Sequence, residues 1–380
     1  MTNSSAQSVK WVSVSRSGLR QNAQAIIQHL GAGQSDGPSP TLIAVVKADA
    51  YGHGLIQAAQ VFETAGVDMF AVTTGDEALD LRAGDIESDI LVFLPPADDQ
   101  LQDLIHANAI LTVTDETDVA RISAKAARLQ TPVRVHMKID SGMGRLGALP
   151  GDVAALGAAI GKAPGVTLAG VYTHFARALD PDAAPTKAQF TTFQNSLAAL
   201  AQAGIDPGMR HCANSAGILL DNRYWLDAVR PGTILYGQYP AGHLPKALKL
   251  SDSWRLNVRI AALRTVPSGT PIGYGGEFVT RRQTKLAVLP LGYADGFTVT
   301  PSSTMTGMRG VKSLLAGLRP GHTGPTVTIR DRKAPVVGRV AMQLTSVDVT
   351  DIPDVAVGDT VTVPARRIMT SSRIPRIYGD

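Results

Sequence analysis

Between Leu42 and Val229 short apolar runs return eight times: Leu42–Val46, Met69–Thr73, Ile90–Leu94, Ala109–Val113, Val133–Ile139, Thr167–Thr173, Met209–Cys212 and Leu226–Val229. Each is too short for a buried helix and reads as a strand. Segments of helical spacing, many Ala-rich, lie between most of them, at Leu55–Ala65, Gly75–Ala83, Glu116–Leu129, Pro150–Gly161 and Lys187–Ala203. Eight strands alternating with helices predict the α/β class and an N-terminal (β/α)8 TIM-type barrel. Ahead of them, Trp11–Ser15 is strand-like and Arg16–Leu30 has the spacing of a helix that ends at Gly31.

After Tyr236 the rhythm changes. From Ser251 onward the runs alternate every second residue, as in Leu256-Asn-Val-Arg-Ile, Lys285-Leu-Ala-Val-Leu, Thr345-Ser-Val-Asp-Val and Thr360-Val-Thr-Val, with Gly and Pro between them. That period predicts a C-terminal mainly-β domain. Gly and Pro cluster between Pro240 and Lys249, so the expected domains are 1–245 and 246–380, with a first strand at 10–15 open to either. A chain of 380 residues is long enough for both.

Composition removes several function classes. The net charge of +4 is spread along the chain, without a Lys/Arg cluster interleaved with aromatics, so nucleic acid is not an expected partner. No apolar run approaches the roughly 20 residues that span a bilayer, and Met1–Lys10 is polar. No membrane association is expected. The single cysteine, Cys212, cannot form an intrachain disulfide and fits a reducing compartment, so the expected location is the cytoplasm.

The chemistry begins at Thr41-Leu-Ile-Ala-Val-Val-Lys47-Ala-Asp-Ala-Tyr51-Gly-His-Gly54, a buried strand expected to stop at Lys47. The carboxyl ends of parallel strands are where loops and helix N-termini direct their N–H groups, and where ligands collect. This stretch closely resembles the pyridoxal 5'-phosphate (PLP) lysine motif of the alanine racemases, in which the lysine bonds covalently to the cofactor. Such a lysine must be neutral to attack a carbonyl, which a protein-walled site favours.

PLP also needs a platform under its ring, a partner for the pyridine nitrogen, a cup of N–H and hydroxyl groups for the phosphate, and an acid/base at the substrate α-carbon. The resemblance supplies a candidate for each. Lys138-Ile-Asp-Ser-Gly-Met-Gly-Arg145 is similar to the segment whose arginine contacts the cofactor and the substrate carboxylate, with a lysine that is often carbamylated; it implies those roles for Arg145 and Lys138. Tyr172-Thr-His174-Phe implies a histidine against the PLP ring. In His211-Cys-Ala-Asn214-Ser215, His211 is a supporting residue, and Asn214 with Ser215 precedes a helix start whose N–H groups would face an anion. Arg230-Pro-Gly232-Thr233 resembles the segment whose arginine donates to the pyridine nitrogen. There Gly232 and Thr233 complete the phosphate cup with Ser215 and Tyr51. An always-protonated partner leaves the ring a weaker electron sink, which favours racemisation over transamination.

In the β domain, Gly273-Tyr274-Gly resembles the segment whose tyrosine is the second catalytic base. Leu289-Pro-Leu-Gly-Tyr293-Ala-Asp295 resembles an entrance segment, and Val337-Gly-Arg-Val-Ala-Met342 a stretch that contacts the substrate carboxylate. In that family these residues reach the partner subunit's PLP, so the resemblance implies a head-to-tail homodimer with shared sites. It calls for no metal. The implied reaction is interconversion of L- and D-alanine by Lys47 and Tyr274, each serving one face of the α-carbon.

The resemblance covers nearly the whole chain, with three departures. Gln343 stands where the family usually has aspartate. The stretch 297–330 carries five basic positions and no carboxylate, which suggests a basic flap at the entrance. The family's C-terminal phosphate-binding tyrosine has no counterpart; Tyr378 falls too far along, which leaves Arg366 or Arg367 as charged substitutes. A racemase of another amino acid and a non-catalytic PLP carrier are the alternatives.

Overall fold

The computed structural model describes residues 8–33, 37–299 and 325–380. Most of the stretch singled out for its basic residues, 297–330, lies outside them. Contacts divide the chain into two compact units, Arg16–Asp252 and a second that joins the described residues of Met1–Ser15 to Ser253–Asp380. The division therefore falls after Asp252 rather than between Pro240 and Lys249. Asn22 explains the difference: its side chain donates to Leu235 O and Ser251 O and accepts the Ser251 N–H, so the Gly/Pro segment stays tied to the barrel unit.

The strand-like N-terminus forms β1 (Lys10–Ser15). The barrel follows: β2 (Thr41–Val45), β3 (Met69–Val72), β4 (Asp89–Val92), β5 (Ile110–Val113), β6 (Val133–Lys138), β7 (Val166–Tyr172), β8 (Met209–Asn214) and β9 (Ala228–Arg230). All neighbours pair in parallel, and β9 closes on β2 through Thr41↔Ala228. Strands covered on both faces are apolar throughout rather than alternating, and all four residues of β3 and of β5 are buried. Ile43, Val45, Met69, Ala71, Leu91, Ile110 and Ala228 pack as one cluster; burying each large aliphatic among them contributes roughly 1.5–3 kcal/mol.

The helices start where caps dictate. Thr74 and Glu77 form a capping box for Gly75–Ala83, and Asp115 accepts the Asp118 N–H to open Glu116–Leu129. A short helix at Leu101–His106 was not expected, because six residues show too little periodicity to be distinguished from a loop. The strand expected to end at Lys47 ends at Val45, since Val46 and Lys47 already enter a turn.

The second unit is built from alternating strands. After β10 (Trp254–Arg259) come β11 (Ala262–Val266), β12 (Pro271–Ile272), β13 (Phe278–Val279), β14 (Thr284–Leu289), β15 (Thr326–Ile329), β16 (Arg332–Pro335), β17 (Thr345–Asp348), β18 (Thr360–Val363) and β19 (Arg376–Gly379). A six-stranded sheet runs β16-β15-β18-β10-β1-β19 and a three-stranded one β11-β14-β17. Burial alternates along β17 and β18, as a sheet with one packed face requires. Among the described residues no helix is long and apolar enough to cross a membrane.

Candidate active site

A cavity of about 490 Å³ opens where seven barrel strands end. Its lining includes Lys47 after β2, Lys138 and Arg145 after β6, His174 after β7, Asn214 and Ser215 at the end of β8, and Arg230, Gly232 and Thr233 at β9. Tyr51, Thr73, Phe93 and Tyr172 line it as well. Four cations face this space and, among the described residues, no carboxylate lines it. Such a cavity is built for anions.

Lys47 sits at an unusual backbone. The six-residue segment Lys47–Gly52 is wound with the opposite hand: Ala48, Asp49, Ala50 and Tyr51 have φ of 54°, 56°, 50° and 54°. A left-handed conformation costs L-residues roughly 1–2 kcal/mol each, and persists only where surroundings over-determine it. They do so here. The Ala48 N–H donates to Glu77 Oε1 at 2.6 Å, the Ala50 N–H to Val46 O at 2.8 Å and the Leu55 N–H to Asp49 Oδ1 at 2.9 Å. Tyr51 stacks on Tyr236 with centroids 4.8 Å apart, and the Tyr236 hydroxyl donates to Val45 O. The turn thus delivers the Tyr51 hydroxyl to Gly232, where a Cβ would lie 2.2 Å from it. A larger residue there would have to displace the Tyr51 hydroxyl.

The surroundings of Lys47 destabilise its ammonium. Burial lowers its pKa first and the Arg145 charge second, while Glu77 raises it. Lys138 is lowered to about 8 by burial and by Arg145 and Arg230, and its ammonium lies 5.5 Å from the centre of the Tyr172 ring. Burial and the four cations hold His174 down to about 3, so its ring is neutral. Burial raises the Tyr51 hydroxyl to about 12, which keeps it a donor.

Arg230 is buried without a carboxylate. Nη1 donates to His211 Nδ1 at 2.7 Å, and Nη2 donates to Thr173 O and Cys212 O. Burial lowers its pKa only to about 10, so it remains a cation at neutral pH. Since Arg230 can only donate, His211 must accept at Nδ1 and carry its proton on Nε2. That nitrogen lies 2.9 Å from His136 Nδ1, which therefore accepts in turn. A directed chain of three side chains runs inward from the cavity. His136 occupies space that Gly170 leaves open, where a Cβ would be 2.6 Å from His136 Nε2. His211 lies behind Arg230 rather than in the cavity lining, stacked 5.0 Å from Tyr172 at 9°.

The phosphate cup takes shape with one revision. Ser215 Oγ accepts the Gly232 N–H at 2.9 Å, which brings Ser215, Gly232 and Tyr51 together. The N–H groups of Ala216 and Gly217, expected to face an anion, instead donate to Asn214 Oδ1. Asn214 is the N-cap of Ser215–Leu220, and its amide oxygen saturates that helix end.

Asp140 explains how Arg145 is presented. Its carboxylate accepts the N–H groups of Gly142, Met143, Gly144 and Arg145, and folds the loop after β6 around itself. Asp140, Glu77, His136 and Tyr172 were not assigned roles from sequence. The signals were present, an Asx turn and a capping box among them, but both also occur in loops without function.

The expected residues Tyr274, Tyr293 and Met342 belong to the second unit. Tyr274, Tyr293 and Met342 are 72%, 49% and 57% exposed on their own unit. Tyr274 begins a 3-10 turn, Tyr274–Gly276, and the following Glu277 pairs with Arg339. Tyr293 sits on another such turn, closed by Asp295, whose carboxylate accepts the Gly292 N–H and meets Lys10 Nζ at 2.6 Å. Tyr378, on β19, pairs with Val14 of β1.

The alanine racemase N-terminal domain family matches residues 14–240, and the C-terminal domain family residues 253–375. The chain is 34% identical to an alanine racemase of Desulfovibrio desulfuricans, over 97% of this chain and 98% of that protein. With alanine racemase 1 of Caldanaerobacter subterraneus it shares 36%, over 86% and 79% respectively. The solved alanine racemase of Clostridium difficile superposes with a TM-score of 0.87 at 29% identity, covering 98% of this chain and 96% of that one. The alanine racemase of Bacillus anthracis with bound L-Ala-P superposes at 0.82 with 27% identity, covering 98% and 95%.

Proposed function

The chain belongs to the alanine racemase family and interconverts L- and D-alanine, and we propose that Lys47 and Tyr274 are the two bases that move the α-proton. The observation that carries the proposal is the convergence of Lys47, Lys138, Arg145 and Arg230 with Tyr51, Ser215, Gly232 and Thr233 in one cavity that, among the described residues, no carboxylate lines.

The donor set fits PLP. Tyr51, Ser215, Gly232 and Thr233 would hold the phosphate, His174 would lie against the ring, and Arg230 would donate to the pyridine nitrogen. When bound, PLP supplies the electron sink that makes the α-proton of alanine removable. Arg230, fixed by His211 and two carbonyls, has no proton to accept and no freedom to swing away. Arg145 would bind the substrate carboxylate, with Met342 beside it.

Lys47, its ammonium destabilised by burial, serves one face of the α-carbon. Tyr274 serves the other. Two bases on opposite faces invert the centre without rotating the substrate. Because Tyr274 is 72% exposed on its own unit, the proposal includes a head-to-tail homodimer in which each subunit's Tyr274, Tyr293 and Met342 complete the other's site. Lys138, part-neutral near its pKa of about 8, can add carbon dioxide and release a proton. The resulting carbamate would give Arg145 a negative partner. Asn214 would act through Ser215, by capping the short helix that Ser215 begins. A cytoplasmic location is part of the proposal: the buried Cys212 thiol, raised to about 12, is neither a nucleophile nor a disulfide partner.

Proton NMR in D2O with added PLP tests the reading. Loss of the alanine α-proton signal together with appearance of the opposite enantiomer is expected. Exchange of a different amino acid alone would move the substrate, and PLP binding without any exchange would return the chain to a carrier role.

A further inference from the structure

Glu77 stands outside the cavity lining, yet it reaches the lysine's own turn. It lies in the first turn of the helix Gly75–Ala83, just past the end of β3. Its Oε2 accepts the Thr73 N–H at 2.8 Å and the Thr74 N–H at 3.2 Å, while its Oε1 accepts the Ala48 N–H at 2.6 Å. Strands β2 and β3 are parallel neighbours, so one carboxylate ties two adjacent strand ends. Ala48 follows Lys47 and is the first of four left-handed residues. A charge-assisted hydrogen bond is the strongest restraint a single side chain can place on that amide. Glutamine cannot reproduce it, because three N–H donors converge on both oxygens and an amide offers only one. The same carboxylate opposes burial and Arg145 in their effect on Lys47.

We propose that Glu77 is a positioning residue for Lys47: by clamping the Ala48 amide it holds the left-handed turn that aims the lysine into the cavity, and its charge is the counterweight to Arg145. A base that must both take and return a proton works best when its proton affinity is neither too high nor too low, and Glu77 acts on geometry and affinity together. The proposal rests on Lys47 being the cofactor lysine.

The test uses the full chain in three measurements on wild type and E77Q. Borohydride reduction with PLP and peptide mapping identify the lysine that bonds the cofactor. Acetylation of Lys47 against pH, without PLP, reports its proton affinity. Thermal unfolding reports stability. Wild type should label at Lys47. E77Q should retain PLP roughly tenfold less well or worse, the equivalent of one lost hydrogen bond to a charged group, and its acetylation midpoint should move to lower pH. A purely structural Glu77 would lower the melting temperature and leave that midpoint in place, which overturns the proposal. Wild type labelled at another lysine overturns the reading of Lys47 itself, and is recognised before any variant is made. If E77Q does not accumulate folded, E77Q/A48G replaces it, since glycine adopts positive φ without steric cost. In that background labelling should recover in part while the lowered midpoint persists; an unmoved midpoint again overturns the proposal.

Discussion

In the barrel unit, side chains from seven strand ends share one cavity and restrain one another; in the β unit, Tyr274, Tyr293 and Met342 stand exposed on turns and loops. The difference separates two tasks. Holding PLP requires a desolvated, cationic cavity with donors at fixed positions, and the barrel unit contains all of these by itself. Serving the second face of the α-carbon requires a base that is dry during the reaction, and a tyrosine that is 72% exposed becomes dry only when another surface covers it. In the proposed mechanism the β unit forms one side of a site that a second chain completes.

The sharpest way to break that comparison is a pair of substitutions. Lys47→Ala should abolish α-proton exchange from both enantiomers and remove the covalent PLP absorbance. Tyr274→Phe should keep the absorbance and lower exchange from one enantiomer by about 10²–10⁴-fold, the usual contribution of a general base. Absorbance spectra and D2O exchange measured separately on L- and D-alanine decide it. Lost absorbance in Tyr274→Phe would assign Tyr274 to cofactor binding, and unchanged exchange from both enantiomers would remove it from the mechanism.

The two regions also differed in how much of them could be read from sequence. Barrel strands and helices were legible because burial on both faces leaves continuous apolar runs, and Lys47, Arg145, His174 and Arg230 lie at or just beyond strand ends that those runs define. What could not be read was how each is held. The left-handed turn from Ala48 to Tyr51 uses two alanines, an aspartate and a tyrosine, of which only the aspartate is enriched at positive φ. Glu77 lies 29 positions from Ala48 and His136 lies 75 positions from His211, so neither contact exists until strands distant in the chain are brought side by side. In the β unit the alternating period was plain; in the barrel unit, sequence could not decide whether Asn214 caps its own helix or leaves those N–H groups to an anion, nor tell that Asn22 fixes the unit boundary.

The buried histidines sharpen the comparison through pH. Burial, and then Arg230 and Arg134, hold His136 down to about 3 against the pull of Asp89, and His211 is lowered in the same way. Both are neutral when folded and take up protons when unfolded. Their stabilisation is complete above about pH 6.5 and is lost as pH falls toward the folded value, at up to about 1.4 kcal/mol per pH unit for each histidine. Denaturant unfolding of the barrel between pH 7 and 4 should show this slope. His136→Asn keeps an acceptor for His211 and removes one of three such titrating groups, His174 being the third, so the slope should shrink by up to about a third. An unchanged slope would mean that the relay does not hold His136 neutral.

The smallest effect is expected in the β unit. Lys10 of β1 pairs with Asp295 at 2.6 Å, and the other oxygen of that carboxylate accepts the Gly292 N–H behind Tyr293. The lysine and aspartate side chains are 22% and 9% exposed, so the pair is shielded without being fully desolvated. Lys10→Met keeps the aliphatic stem against β1 and leaves the carboxylate with its backbone partner alone. The expected cost is about 1–3 kcal/mol in the stability of the β unit, the usual penalty for a buried polar group that loses one partner. The Tyr293 turn should loosen, and the alanine KM should rise modestly while the covalent PLP absorbance stays at the wild-type level. Tryptophan emission follows unfolding of both units, through Trp225 in the barrel and Trp11 and Trp254 in the β unit, while PLP absorbance reports the barrel cavity alone. Loss of PLP absorbance at protein concentrations where wild type retains it would show that the cofactor cavity depends on the β unit, and the division of tasks drawn between the two regions would fall.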